Sequence, residues 1–381
     1  MSKKLFFIAG ESSGDLHGAH LINNLLSLDP TIKTYGIGGS QMKKAGAEIF
    51  EDLTDKAIIG FIEVIKNIRF FKSTFDLALH KIDQIKPAAV ILIDYPGFNL
   101  KIAAEIKKRN IPVIYYISPQ IWAWGKKRIK LIRKVVDIMI VVFQFEEVLY
   151  KQQGVEVVFY GHPLVDIVKS SDYNESILQN HNIDKSKKII SLLPGSRINE
   201  VQRILPVMLE SVSIIHNNNK NIQFLIIKSP NINNKIYEDI MDIKNLPVRL
   251  IESDTYNLLS ISDFAMVCSG TATLETAILQ IPMLVIYKVS FLSWLVIKNL
   301  IKIPFVSLVN IVAGKEIVQE FLQFNAKGRM IAAYTLDILN DEKKINRIKY
   351  DLQEVKNTLG NPGACKRTAE YILNFLSNLE S

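Results

Sequence analysis

The chain has 381 residues, 48% of them hydrophobic, which is enough to bury the cores of two domains and excludes a disordered protein. Its formal net charge of +8 favours an anionic partner, such as a nucleotide, a phosphorylated lipid, a membrane surface or a nucleic acid. The two cysteines, Cys268 and Cys365, are too few and too far apart for a disulfide framework or a zinc site, so a reducing cytoplasm is expected.

Short apolar runs alternate with stretches of helical period along the chain, and this pattern predicts parallel sheets covered by helices. The predicted strands of the first half span residues 4–9, 34–38, 88–94, 113–118, 138–142 and 155–160. After a polar connection, the predicted strands of the second half span residues 189–193, 224–228, 248–251, 264–267 and 283–287. The most apolar segment, 281–313, is interrupted by lysines and prolines, so no transmembrane helix is predicted.

This alternation predicts an α/β protein of two doubly wound, Rossmann-like lobes that face a cleft. In such sheets ligands bind at the carboxyl ends of the strands. The predicted lobes span residues 1–168 and 186–340, and they are joined by the polar connection. Helices over residues 341–381 are expected to return to an N-terminal lobe.

The first predicted strand runs into a turn of small residues, 9–18, that opens a helix. Such a turn lets a ligand approach the backbone and offers free N–H groups, which makes Gly14 and Asp15 candidate binding residues. Glu11 and His17 lie in the same loop. A tight structural turn is the alternative, because the full dinucleotide-binding fingerprint is absent.

Between residues 57 and 75, apolar residues recur at helical spacing beside cations such as Lys66 and Lys72. An exposed helix of this type would lie in a lipid interface, with its cations on anionic headgroups. The predicted membrane anchors are Ile62, Ile65, Ile68 and Phe71. Core packing is the alternative, since amphipathic helices usually cover a core, but the excess of apolar residues over one stripe favours membrane contact.

In the second half, a turn with Gly195, Ser196 and Arg197 follows a buried strand. Arg197 would project from the strand end into the cleft, where a guanidinium can grip a diphosphate with two hydrogen bonds. A surface salt bridge is the structural alternative for this arginine. The turn is therefore a candidate for binding the phosphate groups of a nucleotide.

A second turn of this kind contains Ser269, Gly270 and Thr271, between a buried strand and a predicted helix. Its backbone N–H groups and hydroxyls can receive phosphate oxygens. Glu275, about one helical turn later, could accept hydrogen bonds from ribose hydroxyls. Helix capping alone would explain Thr271 and Glu275 less well than a nucleotide does.

Eight segments, spread over nearly the whole chain, together resemble in their order the motifs of the lipid-A-disaccharide synthase family. They are AGESSGD (9–15), GIGG (36–39), DYPGFN (94–99), SPQIWAWGKKR (118–128), GHPLVD (161–166), LPGSR (193–197), SGTATLE (269–275) and SLVNIVAGKE (307–316). The resemblance implies a GT-B-type fold. One departure is Gly97, where some members carry an aspartate; this position cannot supply an acid here, whereas Asp94 remains.

The resemblance implies transfer of 2,3-diacylglucosamine from UDP to 2,3-diacylglucosamine 1-phosphate, with inversion, in lipid A biosynthesis. The N-terminal lobe would take the acceptor and face an anionic membrane surface, and the C-terminal lobe would take the UDP-sugar. The expected location is cytoplasmic, peripheral on the inner face of the inner membrane. The C-terminal helices could return across a homodimer. No cofactor, metal or nucleic acid is expected.

Inverting transfer needs a group that accepts the proton of the acceptor hydroxyl, and positive or N–H groups at the leaving diphosphate. Asp94 follows a buried strand and precedes a Pro-Gly turn, so it is the preferred base; capping that turn is its structural alternative. Glu11, Asp15 and His17 on the first loop are the rivals. Arg197 is expected to stabilise the leaving group.

The resemblance also puts Asn310 in the substrate site, with Glu316 in the same loop. The structural alternative for Asn310 is that it holds the loop backbone. His162, which precedes a proline, is interpreted as a hinge or substrate-positioning residue. Trp122 and Trp124 would border an acyl or headgroup site, or pack in the core.

Two other functions stay open at this stage. A UDP-N-acetylglucosamine epimerase, or the transferase of peptidoglycan precursor synthesis, would have the same fold, but a water-soluble substrate would leave the apolar 58–71 surface unexplained. A basic nucleic-acid-binding protein would fit the charge. Against it, the cations are spread along the chain and no recognition motif occurs.

Overall fold

A computed structural model describes the protein over residues 3–53, 68–122, 128–168, 175–242, 246–291, 294 and 304–380. The chain folds into two compact units. The first contains Met1–Ile167 together with Leu359–Ser381, and the second contains Val168–Thr358. Each unit is built on one parallel sheet, so the predicted α/β class with two doubly wound sheets is confirmed.

The sheet of the first unit has seven strands in the order β3-β2-β1-β4-β5-β6-β7. The strands are β1 Lys4–Ala9, β2 Lys33–Gly38, β3 Glu48–Asp52, β4 Ala89–Ile93, β5 Val113–Tyr116, β6 Ile138–Val141 and β7 Val157–Phe159. The helices between them are α1 Ser12–Leu28, α2 Ser40–Lys44, α3 Ile68–Ile85, α4 Pro96–Lys107, α5 Ile129–Val135, α6 Gln144–Gln152 and α7 Leu164–Ile167.

Both faces of this sheet are covered, as the central strand β1 shows. Phe6 and Ile8 lie in one hydrophobic core, whereas Leu5, Phe7 and Ala9 lie in the other. Because successive side chains of a strand point to opposite faces, an unbroken apolar strand is what a sheet covered on both sides requires. The apolar runs that predicted these strands therefore reflect burial on two faces.

The sheet of the second unit has six strands in the order β10-β9-β8-β11-β12-β13. They are β8 Lys188–Leu193, β9 Ile222–Ile227, β10 Val248–Ile251, β11 Phe264–Cys268, β12 Met283–Tyr287 and β13 Glu320–Leu322. The helices are α8 Glu175–Asn180, α9 Ile198–Asn218, α10 Asn234–Asp242, α11 Thr255–Ser260, α12 Ala272–Ile278, α13 Leu308–Ala313, α14 Gly328–Leu339 and α15 Glu342–Thr358.

The C-terminal return to the first unit begins at Leu359, because α15 stays with the second unit. It therefore starts later than the predicted residue 341. The last helix, α16 (Ala364–Glu380), packs on α1, and its residues Ala369, Ile372 and Leu376 join the core on that face of the first sheet. The return is thus held by apolar burial within the same chain.

The GHPLVD segment anchors this return. The carboxylate of Asp166 accepts hydrogen bonds from the backbone N–H groups of Gly363 and Cys365, at the start of α16. Gly161 and Gly360 approach so closely that a Cβ on Gly360 would lie 2.9 Å from the Cα of Gly161. Any larger residue at position 360 would push the two backbone segments apart, and its φ of +91° also favours glycine.

In each sheet the chain reverses its winding direction next to the strand that precedes a predicted motif. β1 lies between β2 and β4, and β8 lies between β9 and β11. In doubly wound sheets the carboxyl ends of the strands at such a reversal form the usual ligand site. Within the residues that the structure describes, no helix has both the length and the apolar character needed to cross a membrane.

Candidate functional site

Strand pairing brings the two predicted phosphate-binding turns of the second unit together. β8 and β11 are parallel neighbours, and Leu193 is in register with Val267. The turn over residues 194–197 and the turn over residues 269–271 therefore leave the same edge of the sheet side by side. This adjacency is what a diphosphate held by both turns would need.

The first of these turns is organised by Glu200, a residue that the sequence prediction missed. The Glu200 carboxylate accepts hydrogen bonds from the backbone N–H of Ser196 at 3.0 Å and from Arg197 Nη1 at 2.8 Å. Gly195 has φ +126°, and a Cβ there would lie 2.6 Å from Glu200 Cβ. The turn thus requires glycine at position 195, and Arg197 is held at the strand end by an ion pair. Glu200 could have been found from the sequence as an acid three residues after Arg197, in the first turn of a helix.

The second turn has backbone donors without a partner. In the described part of the chain, the N–H groups of Gly270, Thr271 and Ala272 donate to no acceptor. Gly270 has φ +154°, and a Cβ on it would meet no atom within 4 Å, so the space over this turn is open. Unpaired N–H groups beside open space form a site for an anion.

The hydroxyls of this turn differ in their hydrogen bonding. Ser269 Oγ donates to the carbonyl of Val306 at 3.0 Å, so its proton is already used. Thr271 begins α12, and its side chain makes no capping hydrogen bond. Of the two predicted hydroxyl donors, Thr271 is therefore the one that can turn toward a ligand.

Glu275 lies on α12, partly buried, and its carboxylate accepts no hydrogen bond from the described residues. Burial raises its pKa from the ordinary value of 4.5 to about 7. Burial, followed by the nearby Glu275 charge, raises the pKa of Tyr256 on α11, which identifies Tyr256 as a neighbour that the sequence prediction missed. A partly buried carboxylate without a donor among the described residues is suited to accept hydroxyl groups of a ligand.

The thiol of Cys268 stays protonated at the end of β11. Burial, followed by the Glu200 carboxylate, raises its pKa well above the ordinary range, although Arg197 opposes this. A nucleophilic role would need a lowered thiol pKa instead. Cys268 therefore serves as a buried apolar residue beneath the two turns.

Asn310 uses its whole side-chain amide to hold the loop that follows it. Its Oδ1 accepts from the N–H groups of Ile317 and Val318, and its Nδ2 donates to the Val318 carbonyl and to Glu320 Oε1. The residue is fully buried. These contacts match the structural alternative for Asn310.

Glu320 completes this network, and the sequence prediction missed it. Its carboxylate accepts from the backbone N–H groups of Val306 and Ser307 and from Ser307 Oγ. Glu316, by contrast, is exposed and accepts one hydrogen bond from Gln319 Nε2 at 3.1 Å. The 306–320 loop is thus internally cross-linked, and Glu316 lies at its surface.

In the first unit, the ends of β1 and β4 bring Glu11 and Asp94 to the same edge of the sheet. The ring of Tyr95 occupies the space next to Gly10, where a Cβ would lie 2.3 Å from Tyr95 Cδ1. Burial and the Glu11 charge raise the pKa of Tyr95 to about 12, which shows that Glu11 lies near this ring. Glu11, Tyr95 and Asp94 therefore form one cluster.

The backbone at Asp94 is strained. Asp94 and Tyr95 both have positive φ, +45° and +48°, a conformation that non-glycine residues rarely adopt. The strain is held by hydrogen bonds to the Asp94 carbonyl from Asn99 Nδ2 at 2.7 Å and from the Tyr115 hydroxyl. Strained residues that the surroundings over-determine concentrate at functional sites, and Asp94 is partly buried.

Asp15 is engaged within the protein. Its carboxylate accepts hydrogen bonds from the N–H groups of Gly39, Gln41 and Met42 at 2.8, 2.9 and 3.0 Å, and so satisfies the start of α2. The side chain is 3% exposed. Gly14 is likewise buried, and a Cβ on it would make ordinary contacts of 3.5 Å or more.

His17 and His162 form a buried edge-to-face pair with ring centroids 6.1 Å apart. Burial lowers the pKa of His17 to about 3, and it also lowers that of His162 well below the ordinary value. His162 Nδ1 accepts the backbone N–H of Leu164, whereas His17 Nδ1 has no partner among the described residues. Both imidazoles are neutral at physiological pH, so His17 is a weak base.

Buried polar atoms without partners gather at this edge of the first sheet. Within the described ranges these include His17 Nδ1, Asn99 Oδ1, Ser118 Oγ and Glu146 Oε2, on the segments after β1, β4, β5 and β6. Glu146, which the sequence prediction missed, accepts a hydrogen bond from Trp122 Nε1 at 2.9 Å, and burial raises its pKa to about 7. Buried polar groups left unpaired are costly, so their concentration at one edge points to a site completed by water or ligand.

Most of the predicted membrane anchors lie outside the described residues. These are Ile62 and Ile65, together with the side chain of Ile68 at the start of α3. Phe71 is described; it is partly buried, packs against the core of the first unit and lies 6.5 Å from the Tyr95 ring. Trp124 is also outside the described residues, whereas Trp122 is partly buried against Phe145. No cluster of metal-ligand side chains occurs in the part that the structure describes.

Solved structures with the same fold define the class. S. aureus MnaA in complex with UDP matches with a TM-score of 0.69 at 15% identity, over 98% of this chain and 97% of that one. A UDP-GlcNAc 2-epimerase from Neisseria meningitidis, bound to UDP-GlcNAc, matches with a TM-score of 0.61 at 15% identity, over 97% and 100%. At such identities the likeness establishes the fold, which is the GT-B-like architecture of two Rossmann-like units.

Sequence comparison establishes the family within that class. The family model described as lipid-A-disaccharide synthetase matches residues 5–375. The lipid-A-disaccharide synthase of Syntrophus aciditrophicus is 43% identical over 376 residues, which cover 98% of both chains. That of Persephonella marina is 38% identical over 378 residues, 97% of this chain and 98% of the relative. The chain belongs to the lipid-A-disaccharide synthase family, a group of glycosyltransferases of lipid A biosynthesis, and the predicted resemblance is confirmed.

Proposed function

We propose that the chain transfers 2,3-diacylglucosamine from UDP-2,3-diacylglucosamine to the 6-hydroxyl of 2,3-diacylglucosamine 1-phosphate. The products are the β-1,6-linked disaccharide 1-phosphate and UDP, and the anomeric carbon is inverted. The observation that carries this proposal is the turn after β11, where the N–H groups of Gly270, Thr271 and Ala272 and the carboxylate of Glu275 have no partner among the described residues. The diphosphate of a nucleoside diphosphate would accept from these N–H groups, and its ribose hydroxyls would donate to the carboxylate.

The second unit would hold the donor. The unpaired N–H groups and the Thr271 hydroxyl would bind diphosphate oxygens, while Glu275 would accept hydrogen bonds from ribose hydroxyls. Arg197 lies on the adjacent turn, where its guanidinium would balance the charge that develops as UDP leaves. Its ion pair with Glu200, at 2.8 Å, supports this role because it fixes the arginine at the strand end.

The first unit would activate the acceptor. Asp94 would take the proton of the 6-hydroxyl as that oxygen attacks the anomeric carbon and the bond from this carbon to the diphosphate oxygen breaks. The strained backbone at Asp94 and Tyr95 supports this assignment. Glu11 is the remaining rival, because Asp15 is bound by three N–H groups and His17 is buried with a pKa of about 3.

Because both sugars carry acyl chains, the reaction would take place at a membrane surface. The amphipathic 57–75 segment, with Ile62, Ile65, Ile68 and Phe71, is the proposed contact of the first unit with anionic lipid. The protein would be cytoplasmic and peripheral on the inner face of the inner membrane. We include a homodimer in this proposal, and the oligomeric state in solution tests it.

The test is an incubation of the purified chain with the two acylated sugars, followed by mass analysis of the lipid product and a UDP-release assay. The proposal expects a disaccharide 1-phosphate and equimolar UDP, with no product when either sugar is left out. A parallel incubation with UDP-N-acetylglucosamine tests the epimerase function suggested by the structural neighbours. Formation of an epimer there, without any disaccharide from the acylated sugars, would contradict the proposal.

A further inference from the structure

Two aromatic side chains protrude from the second unit at the ends of β12 and β13. Phe291 is 58% exposed and Phe324 is 62% exposed. Their rings form an edge-to-face pair with centroids 6.4 Å apart. Single exposed apolar residues are common on soluble proteins, whereas two exposed phenylalanines in contact form a continuous apolar feature that calls for an explanation.

The backbone holds this pair in place. Gln323, which precedes Phe324, donates from Nε2 to the Val289 carbonyl and accepts the Val289 N–H at Oε1, both at 3.1 Å. The Gln323 N–H also donates to the Tyr287 carbonyl at 2.8 Å. The segments that carry the two rings are thus tied together by three hydrogen bonds. The backbone that leads into each ring is therefore held at the end of its strand.

Cations flank the aromatic pair in the sequence. Lys288 precedes Phe291 by three residues, and Lys327 and Arg329 follow Phe324 by three and five residues. Lys327 and Arg329 are exposed, and neither forms an ion pair with an acid in the described part of the chain. Exposed aromatic rings with cations three to five residues away in the sequence match the boundary between the acyl chains and the anionic headgroups of a bilayer.

The position of the pair in the fold fits the same occupant. The strands are parallel, so the ends of β12 and β13 lie on the edge of the sheet that carries the turns after β8 and β11. Two exposed rings are also far too little surface for a stable protein interface, which needs about 800 Å² from each partner. Shallow insertion into lipid has no such requirement.

We propose that Phe291 and Phe324 form a lipid-contact surface of the second unit, which inserts into an anionic bilayer with Lys288, Lys327 and Arg329 at the headgroups. These residues belong to the second unit, whereas the 57–75 segment belongs to the first. Binding of the second unit to the bilayer would hold the nucleotide-binding edge near lipid-anchored substrates. The inference does not rest on the proposed reaction, because it concerns binding to lipid in the absence of any substrate.

The direct test is a fluorescent label at the tip of the surface. The two cysteines of the chain, Cys268 and Cys365, are both buried, so a thiol-reactive environment-sensitive dye will select Phe324→Cys. On vesicles of equal parts phosphatidylglycerol and phosphatidylcholine, the dye at 324 should shift to the blue and be quenched by spin-labelled lipid. The control is Tyr350→Cys, which is 65% exposed on the same unit and should not respond.

Three results would overturn the proposal: no vesicle binding by the unaltered chain, no response at 324 while the chain sediments with vesicles, or an equal response at 350.

A second measurement uses Phe291→Ser with Phe324→Ser in the full chain. Loss of both rings should weaken partition into these vesicles by roughly tenfold or more, without lowering the melting temperature. Lys327→Gln with Arg329→Gln should weaken it by about fivefold per charge, and only when phosphatidylglycerol is present. Unchanged partition in both double variants would contradict the inference.

Discussion

The turn after β1 in the first unit and the turn after β11 in the second share one sequence pattern, a buried strand followed by small residues and a helix. The structure uses them differently. In the first turn, Asp15 binds three backbone N–H groups of the protein and His17 is buried. In the second, three backbone N–H groups and the Glu275 carboxylate have no partner in the described residues. At these groups, hydrogen-bond accounting separates the Asp15 carboxylate, which is satisfied within the protein, from the donors and the acceptor of the second turn, which are open to a ligand.

The largest expected effect is at Asp94, which follows β4 in the first unit. Asp94→Asn should lower turnover by about 10²–10⁴-fold, because the proposed general base is removed, with UDP binding nearly unchanged since the second unit is the proposed nucleotide site. The measurement is steady-state kinetics together with UDP titration. Asp76→Asn, an exposed aspartate on α3, is the matched control and should be silent. If Asp94→Asn keeps its turnover while Glu11→Gln abolishes it, the base is Glu11.

The next effect concerns the turn after β8. Arg197→Ala should lower turnover by about 10²-fold or more, since one charge-stabilising donor is lost at the leaving diphosphate. Arg203 is exposed on α9, the helix that follows Arg197, so Arg203→Ala serves as the control. Near-normal turnover of a folded Arg197→Ala variant would show that its ion pair with Glu200 is the whole role of the arginine.

The fold class followed from the sequence because strands covered on both faces read as unbroken apolar runs, as β1 and β4 do. The edge strands β3 and β13 escaped prediction, since Glu48–Asp52 is largely acidic and Glu320–Leu322 has only three residues. The place where the chain leaves the second unit was also misjudged. It depends on the contacts of α15 with other helices, which no local pattern encodes.

The sequence located the strand ends of the candidate site but not the glutamates around them. Gly195, Arg197 and Gly270 lie at strand ends that the apolar runs located. Glu146, Glu200 and Glu320 were missed, because a glutamate in a helix or at an edge strand resembles a solvated surface residue. Their hydrogen bonds, such as those from Trp122, Arg197 and Asn310, reveal their positions.

A third prediction contrasts the two turns by stability. Asp15→Ala should lower the free energy of unfolding by roughly 2 kcal/mol or more, because three N–H groups lose their buried acceptor. Thr271→Ala should leave the free energy of unfolding unchanged and weaken UDP binding by about tenfold or less, since it removes one hydrogen bond to the ligand. Urea unfolding and UDP titration of both variants check this. An unfolding effect for Thr271→Ala larger than that for Asp15→Ala would reverse the comparison.

The smallest expected effect is a pH dependence. Burial raises the pKa of Glu275 from 4.5 to about 7, so its carboxyl is protonated below that pH and cannot accept ribose hydroxyls there with both oxygens. UDP affinity should therefore increase as the pH rises through about 7, and Glu275→Gln should remove that increase. Titration calorimetry at several pH values is the measurement.

The stability of the protein should change with pH in the opposite direction. An acid whose pKa is higher in the folded state than in the unfolded state resists ionisation on folding, so stability falls between pH 4.5 and about 7 and is constant above. Glu146 has the same upward shift in the first unit, to about 7. Glu146→Gln should therefore lessen the fall in stability but leave the pH dependence of UDP binding intact, which makes it the matched control for Glu275→Gln.

Whether the turn after β11, and not the turn after β1, binds the nucleotide is tested most directly by hydrogen exchange of the backbone amides with and without UDP. The account predicts that UDP protects the amides of Gly270, Thr271 and Ala272, and those near Arg197, while the amides of residues 10–18 exchange at unchanged rates. Protection of residues 10–18 by UDP, with no change at residues 269–275, would contradict it.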